Sequence, residues 1–161
     1  MQPKYHILIG TVVAAPLLPT FGPLASAGFL VGSLLIDSDH YLDFLVHNRF
    51  RSFSIRKMFL YHQHLFSRIR RADFLSLEIF HTIEFLGCML GLSFLSGSLL
   101  LQAVTAGMIT HALSDALYLK RIGALSSRAY SFVEYLIRKR RMVQQGIALE
   151  RPYQEALDQM K

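Results

Sequence analysis

The chain has 161 residues, a formal net charge of +6, one cysteine, no tryptophan and 52% hydrophobic residues. That length suits one domain, and the lone Cys88 excludes an internal disulfide framework. A mean hydropathy of +0.34 with only 17% charged residues excludes a disordered chain and is high for a soluble one.

Charge is blocked rather than spread. Seven of the 17 Lys and Arg residues lie between Arg49 and Arg71, nine lie from Lys120 to Lys161, and only Lys4 falls outside. Long uncharged stretches alternate with these blocks, which favours an anionic membrane surface over nucleic acid. No nucleic-acid reading motif accompanies them.

In chain order, Tyr5–Ile36 is apolar but interrupted by Pro16, Pro19, Gly22 and Pro23. It is too long and too broken for a cleaved leader, and it predicts helices over 5–15 and 24–35. Further helices are expected over 38–47, 54–70, 74–95, 98–119, 126–145 and 152–160. Asp37 or Ser38, Ser54, Asp73, Ser98 and Ser126 are placed as N-caps, and Pro152 suits a first turn. No strict alternation bounded by turn residues stands out, so a sheet is not expected.

A second apolar stretch, Phe85–Ser114, is broken at Ser96–Ser98. If each stretch crossed a bilayer once, the two basic blocks would face opposite sides, against the positive-inside tendency. Hairpins at Pro16–Pro23 and at Ser96–Ser98 keep both blocks on the cytoplasmic side, although their arms are short for a ~30 Å core. The expected fold is all-α, a compact multi-helix bundle with apolar, membrane-associated helical hairpins. Residues 1–119 form its main domain, and 120–161 a basic amphipathic helical extension.

Candidate chemistry lies on four of these elements. In Ile36-Asp-Ser-Asp-His-Tyr-Leu-Asp43, a helical spacing of 100° per residue brings Asp39, His40, Asp43 and His47 within an arc of about 100°. Carboxylates so grouped repel one another unless a cation or proton relieves them. Asp37 lies across the wheel and joins them only if it precedes the helix. His81 and Glu84 are spaced i, i+3 among apolar neighbours, where an ionised Glu is costly unless paired or metal-bound. His111 and Asp115 are spaced i, i+4 in a segment with no other charge between Phe85 and Ala116. An ionisable pair in such a segment marks a functional site if the segment meets lipid. On the 54–70 helix, Ile55, Met58, Phe59, Leu65, Phe66 and Ile69 define an apolar arc with His62 at its centre. His6 opens the first apolar helix. Imidazole and carboxylate donors together suit a divalent metal: zinc first, with manganese or iron as alternatives.

These motifs resemble those of the small bacterial membrane-bound, predicted metal-dependent hydrolases, some described as LexA-regulated. The shared features are an early His (His6), an Asp-x-Asp-His run (Asp37-Ser-Asp-His40), a Thr-His-type element (His81-Thr82) and a Gly-x-x-x-His-x-x-x-Asp helix (Gly107 to Asp115). The resemblance covers residues 1 to about 118. Ile36 stands where the family usually has Pro, and its His-Arg-Gly element is absent, so His62 or the His81–Glu84 pair would substitute.

The resemblance implies a metal-dependent hydrolase of the bacterial inner membrane. The family is itself similar to the all-α fold of zinc-dependent phospholipases C and nucleases, which implies a phosphodiester or phospholipid-like substrate. Asp37, Asp39, His40, His81, His111 and Asp115 are the expected ligands, with Asp43 and His6 as further ones. Glu84 and His62 are the expected catalytic groups. Expected partners are the anionic leaflet and a phosphate-bearing small molecule or lipid, with no nucleic acid. The competing readings are a non-enzymatic membrane metal-binding or structural protein and, against the absence of paired Glu-x-x-His elements, a di-iron membrane oxidase.

Overall fold

The computed structural model describes residues 3–160. It is mostly helical, as the hydrophobic periodicity predicts: α1 (Pro3–Leu35), α2 (Ser38–His47), α3 (Ile55–Phe66), α4 (Ile83–Ser96), α5 (Leu99–Arg121), α6 (Phe132–Gln144) and α7 (Arg151–Asp158). Two two-residue strands, β1 (Ser76–Leu77) and β2 (Arg128–Ala129), pair in parallel.

The chain divides into two compact units, but not at residue 119. One takes the chain up to Asp37 together with Ile83–Ile122, and the other takes Ser38–Thr82 with the chain from Gly123 onward. The basic tail is therefore half of a unit rather than an extension. Its β2 pairs with β1, Ser76 opposite Arg128 and Leu77 opposite Ala129.

In the first unit α1 folds back on itself. Gly22 carries φ 80 and ψ 173, a conformation that glycine alone adopts without strain. A Cβ on Gly10 would strike the Ser33 hydroxyl, so the arms before and after the break lie side by side. The expected hairpin forms, with arms of roughly 19 and 13 residues. A second hairpin joins α4 to α5 through Gly97 (φ 62) and the Ser98 cap, which accepts from Leu101 N.

The second arm of α1 crosses α5 at backbone contact. A Cβ on Gly32 would collide with the Val104 backbone, and one on Gly107 with the Phe29 carbonyl and Ser33 N. Small and hydroxylated residues fill this unit's interior: Ala14, Ala25, Ser26, Ser33, Ser93 and Thr105 are buried. The hydroxyls of Ser26, Ser33, Ser93 and Thr105 donate to carbonyls three or four residues back on their own helices, so these four need no water. Phe29, Ile36, Met108 and Leu119 are buried with them, while many other large side chains face outward. Leu24, Ile83, Phe94, Leu113 and Leu117 are exposed, and Leu95 is 87% accessible.

The second unit has an ordinary core. Phe44, Leu45, Tyr61, Leu65, Phe74, Tyr153 and Ala156 pack together from α2, α3, the following loop and α7. Full burial of a side chain such as Phe44 is worth about 1.5–3 kcal/mol. Leu75, Ala129 and Leu149 form a second cluster across the strand pair.

Two helix boundaries depart from expectation. Residues 74–82 are not helical, because Leu75, Leu77 and Ile79 alternate with Ser76 and Glu78, the period of a strand. That stretch forms β1 and a 3-10 turn over Ile79–His81, and α4 starts only after an extended Thr82 (ψ 149). Likewise α6 is capped by Ser131, which accepts from Val133 N and Glu134 N, rather than by Ser126. Asp73 caps nothing and instead pairs with Arg71 through two hydrogen bonds of 2.8 and 2.7 Å.

Candidate metal centres

The polar residues singled out by sequence fall into two groups, one within each unit.

In the first unit, the close α1–α5 crossing brings His111 against Ser33. Its Nδ1 lies 2.5 Å from the Ser33 carbonyl oxygen, which can only accept, so Nδ1 carries the hydrogen. The lone pair of a neutral ring is then on Nε2, which stands 3.1 Å from Asp37 Oδ1. Two acceptors do not sit at that distance without a proton or cation to join them. Asp37 sits in the turn between α1 and α2 and meets His111 of its own unit, not the Asp39 arc that the sequence tied it to. His6 stacks on His111 with ring centroids 3.8 Å apart and planes within 9°, and its Nε2 is 3.2 Å from Asp115 Oδ1. His6, His111 and Asp115 are all buried and can offer three ligand atoms within 4.8 Å of one another.

In the second unit the centre is Asp39 and His81. Asp39, in the first turn of α2, is 3% exposed. Its Oδ2 accepts from His81 Nδ1 at 2.9 Å and from Phe80 N at 3.2 Å. That bond puts the hydrogen on Nδ1 of a neutral ring, on the side that faces both Asp39 and Glu78, where a metal ion would take its place. Asp39 Oδ1 is buried and has no hydrogen-bond partner among the described residues; the His40 ring lies 3.8 Å away. Glu78 completes a set of three donors within 4.8 Å with Asp39 and His81. Its carboxylate is 3.6 Å from His81 Nδ1 and forms a buried ion pair with Arg128 of β2.

His40 tilts against His62, ring centroids 4.8 Å apart, and His62 Nε2 donates to the His40 carbonyl at 2.7 Å. Burial, reinforced by the neighbouring His40, pushes the His62 pKa down, so this ring stays neutral and holds the backbone of His40. The expected apolar arc on α3 is met in part: Leu65 is buried and Met58 and Ile69 pack against the core beside Tyr61, while Ile55, Phe59 and Phe66 are exposed.

Two expected site residues lie elsewhere. Asp43 is turned away from Asp39, its Oδ1 3.1 Å from His47 Nδ1 and its Oδ2 accepting from the Tyr61 hydroxyl at 3.2 Å. Glu84 is exposed in the first turn of α4. It does not share a helix face with His81, because the extended Thr82 separates the two elements. Sequence reasoning missed Glu78 and Arg128. The signal for Glu78 was the alternation around it, which makes a strand end rather than a helix, and Arg128 was hidden in a tail read as a basic amphipathic extension.

A cavity of about 190 Å³ opens beside Asp39, lined also by Leu42, Leu75, Ile79, Lys139 and Tyr153. Fold and site together define an all-α chain with two histidine–carboxylate groups, either of which has the donor chemistry for a divalent metal. Comparison with protein-family models, with curated proteins and with solved structures finds no match.

Proposed function

We propose that the chain is a membrane-associated, metal-dependent hydrolase acting on a phosphodiester or phospholipid-like substrate, with zinc as the first candidate metal. The observation that carries the reading is the buried Asp39–His81 pair: a carboxylate with one oxygen orienting an imidazole and the other short of a partner, beside a cavity. An ionised carboxylate is costly to bury without a compensating cation. His81, Glu78 and Asp39 would hold the ion, with His40 adjacent. A bound divalent ion supplies a water of lowered pKa and polarises the scissile phosphoryl or acyl group. Asp39 and Glu78 face the same ring nitrogen of His81, Arg128 pairs with Glu78, and His62 fixes the backbone that carries His40. Lys139 on the cavity wall offers a cation to a phosphate, and the leucines and Ile79 offer apolar surface to a lipid-like group.

The membrane half of the reading is supported by the first unit, whose close helix crossings are lined by small and hydroxylated residues and which leaves many large apolar side chains exposed. That is the residue distribution of helices packed in lipid. Among the described residues, one helical stretch, Lys4–His47, is long and apolar enough to cross a membrane. Because α1 turns back at Gly22, we place its hairpin within the cytoplasmic leaflet of a bacterial inner membrane, with the basic segments on the cytoplasmic side.

The fully buried set of His6, His111 and Asp115 favours a second role for the first unit: a closed, structural metal or proton-linked clamp on helix packing. The test of catalysis is turnover of bis-p-nitrophenyl phosphate and of phosphatidylglycerol by zinc-loaded protein. Asp39→Asn should lower the rate by roughly 10- to 100-fold and His81→Ala should abolish it. Full activity of Asp39→Asn, or no turnover of either substrate class, would refute the reading.

A further inference from the structure

The turn between α2 and α3, with the start of α3, presents an aromatic and cationic face that neither core uses. Phe50, Phe53, Ile55 and Phe59 are exposed, Phe53 to 63%. Arg49, Arg51, Arg56 and Lys57 alternate with them and are exposed too. None of these four cations has an ion pair among the described residues. No Asp or Glu occurs anywhere between Asp43 and Asp73, so nothing in the local sequence neutralises them.

The turn is held in shape rather than loose. Asn48 Oδ1 accepts from Arg51 N at 2.8 Å and from Ser52 N at 3.2 Å, and its Nδ2 donates to the Ser52 carbonyl at 3.1 Å. Phe50 N donates to Leu45 O at 2.9 Å, and the Tyr41 hydroxyl ties down the Phe53 carbonyl at 2.8 Å. Arg49 and Phe50 adopt φ 57 and 56 in succession. A bulky aromatic rarely tolerates that region, and the structure here fixes it with the ring in solvent. On α3, Ile55 and Phe59 fall within about 40° of each other on the side away from Tyr61 and Leu65. The face is therefore continuous from the turn into the helix.

We infer that this face is a membrane-docking wedge: Phe50, Phe53, Ile55 and Phe59 enter the headgroup–acyl boundary of a bilayer while Arg49, Arg51, Arg56 and Lys57 hold the phosphates of anionic lipids. A rigid turn loses little freedom on insertion, its apolar tips match the interface, and its unneutralised charge matches an anionic leaflet. The inference deepens the membrane-associated reading by naming the contact and its lipid class. It is argued from the second unit alone and does not depend on the metal.

The chain has no tryptophan, so Phe53→Trp creates a single reporter at an exposed position. The full-length variant is placed in nanodiscs of phosphatidylcholine alone or mixed equally with phosphatidylglycerol, with and without bromine-labelled acyl chains. In the anionic discs the emission should shift to the blue and be quenched by the brominated lipid. Each Arg or Lys changed to Gln should weaken insertion about fivefold, so the four-site variant should lose the quenching. Circular dichroism should be unchanged, because the four side chains are exposed and make no hydrogen bond or ion pair among the described residues.

Emission that stays at the wavelength of water in anionic discs, or equal quenching in both lipid compositions, would overturn the inference. So would a shift produced only by added oligouridylate, which would assign the face to single-stranded nucleic acid. Metal content measured on the same samples separates the two proposals. Retained metal with an unquenched reporter removes the wedge alone, and a quenched reporter on metal-free protein removes the hydrolase reading alone.

Discussion

Gly107→Ala tests how the first unit builds its polar group. The new Cβ would sit 2.9 Å from Ser33 N and 3.0 Å from the Phe29 carbonyl carbon, and closer still to the Phe29 oxygen. All three are backbone atoms, so no side chain can swing aside. Ordinary contact needs about 3.5 Å, and relief of the tightest approach requires α1 and α5 to separate by roughly 1 Å. His111 lies one turn along the same helix, and its 2.5 Å bond to the Ser33 carbonyl would then stretch past hydrogen-bond range, about 3.2 Å. Overpacking of this kind costs about 1–3 kcal/mol, a fall in melting midpoint of roughly 2–12 °C. The assay is thermal unfolding of detergent-solubilised protein, with solvent exchange of the His111 imidazole followed by NMR. A melting midpoint unchanged within error, with His111 still protected, would refute both the close crossing and its role in holding that ring.

Removing Arg128 should be among the most damaging single changes in the second unit, because it strands the buried Glu78 carboxylate. Arg128→Met is expected to cost about 3–5 kcal/mol in urea unfolding, and adding Glu78→Gln should recover much of it; independent, additive losses would show that the pair is not coupled. His47 is raised above its usual value: burial opposes its charged form, but Asp43 outweighs that through its side chain, charge and backbone. The stabilisation from this pair is full below the unfolded value of about 6.5 and is lost as pH rises through the raised one. His47→Gln should therefore flatten the melting profile across that window, and a wild-type profile already flat there would contradict the pairing. Glu155 and Asp73 behave oppositely, since hydrogen bonds from Arg68 and Arg71 hold them below the usual carboxylate range. Their modest, solvent-screened contribution is present above that range and fades as pH falls through the lowered values; in acid melts Glu155→Gln should remove the Glu155 share and leave that of the Asp73–Arg71 pair, and an unchanged acid profile would contradict the Glu155 pairing.

Helical class and both hairpins were legible because they depend on local signals: period 3.6, Gly22 and Gly97 at breaks, and Ser54 and Ser98 as caps. Asp37's place before α2 followed from capping chemistry, which offered Asp37 or Ser38 as the cap. The partition of the Asp39–His47 arc was not legible, because one arc of about 100° faces several neighbours at once. Asp39 meets His81, His40 meets His62, and Asp43 with His47 meets Tyr61 and Tyr153. Nor was Glu78 found, since its strand exists only through pairing with residues about fifty positions later. The outward turn of Phe59 and Phe66 escaped because an apolar arc does not say whether core or lipid will cover it.

The central claim is that buried histidine–carboxylate groups bind a divalent metal. Elemental analysis of protein purified in detergent without chelator tests it directly, alongside His81→Ala and His111→Ala. The account predicts about one equivalent or more of a divalent metal per chain, zinc foremost, reduced by His81→Ala and separately affected by His111→Ala if both groups load. Protein that neither retains nor takes up metal, or metal content unchanged in both variants, would contradict it.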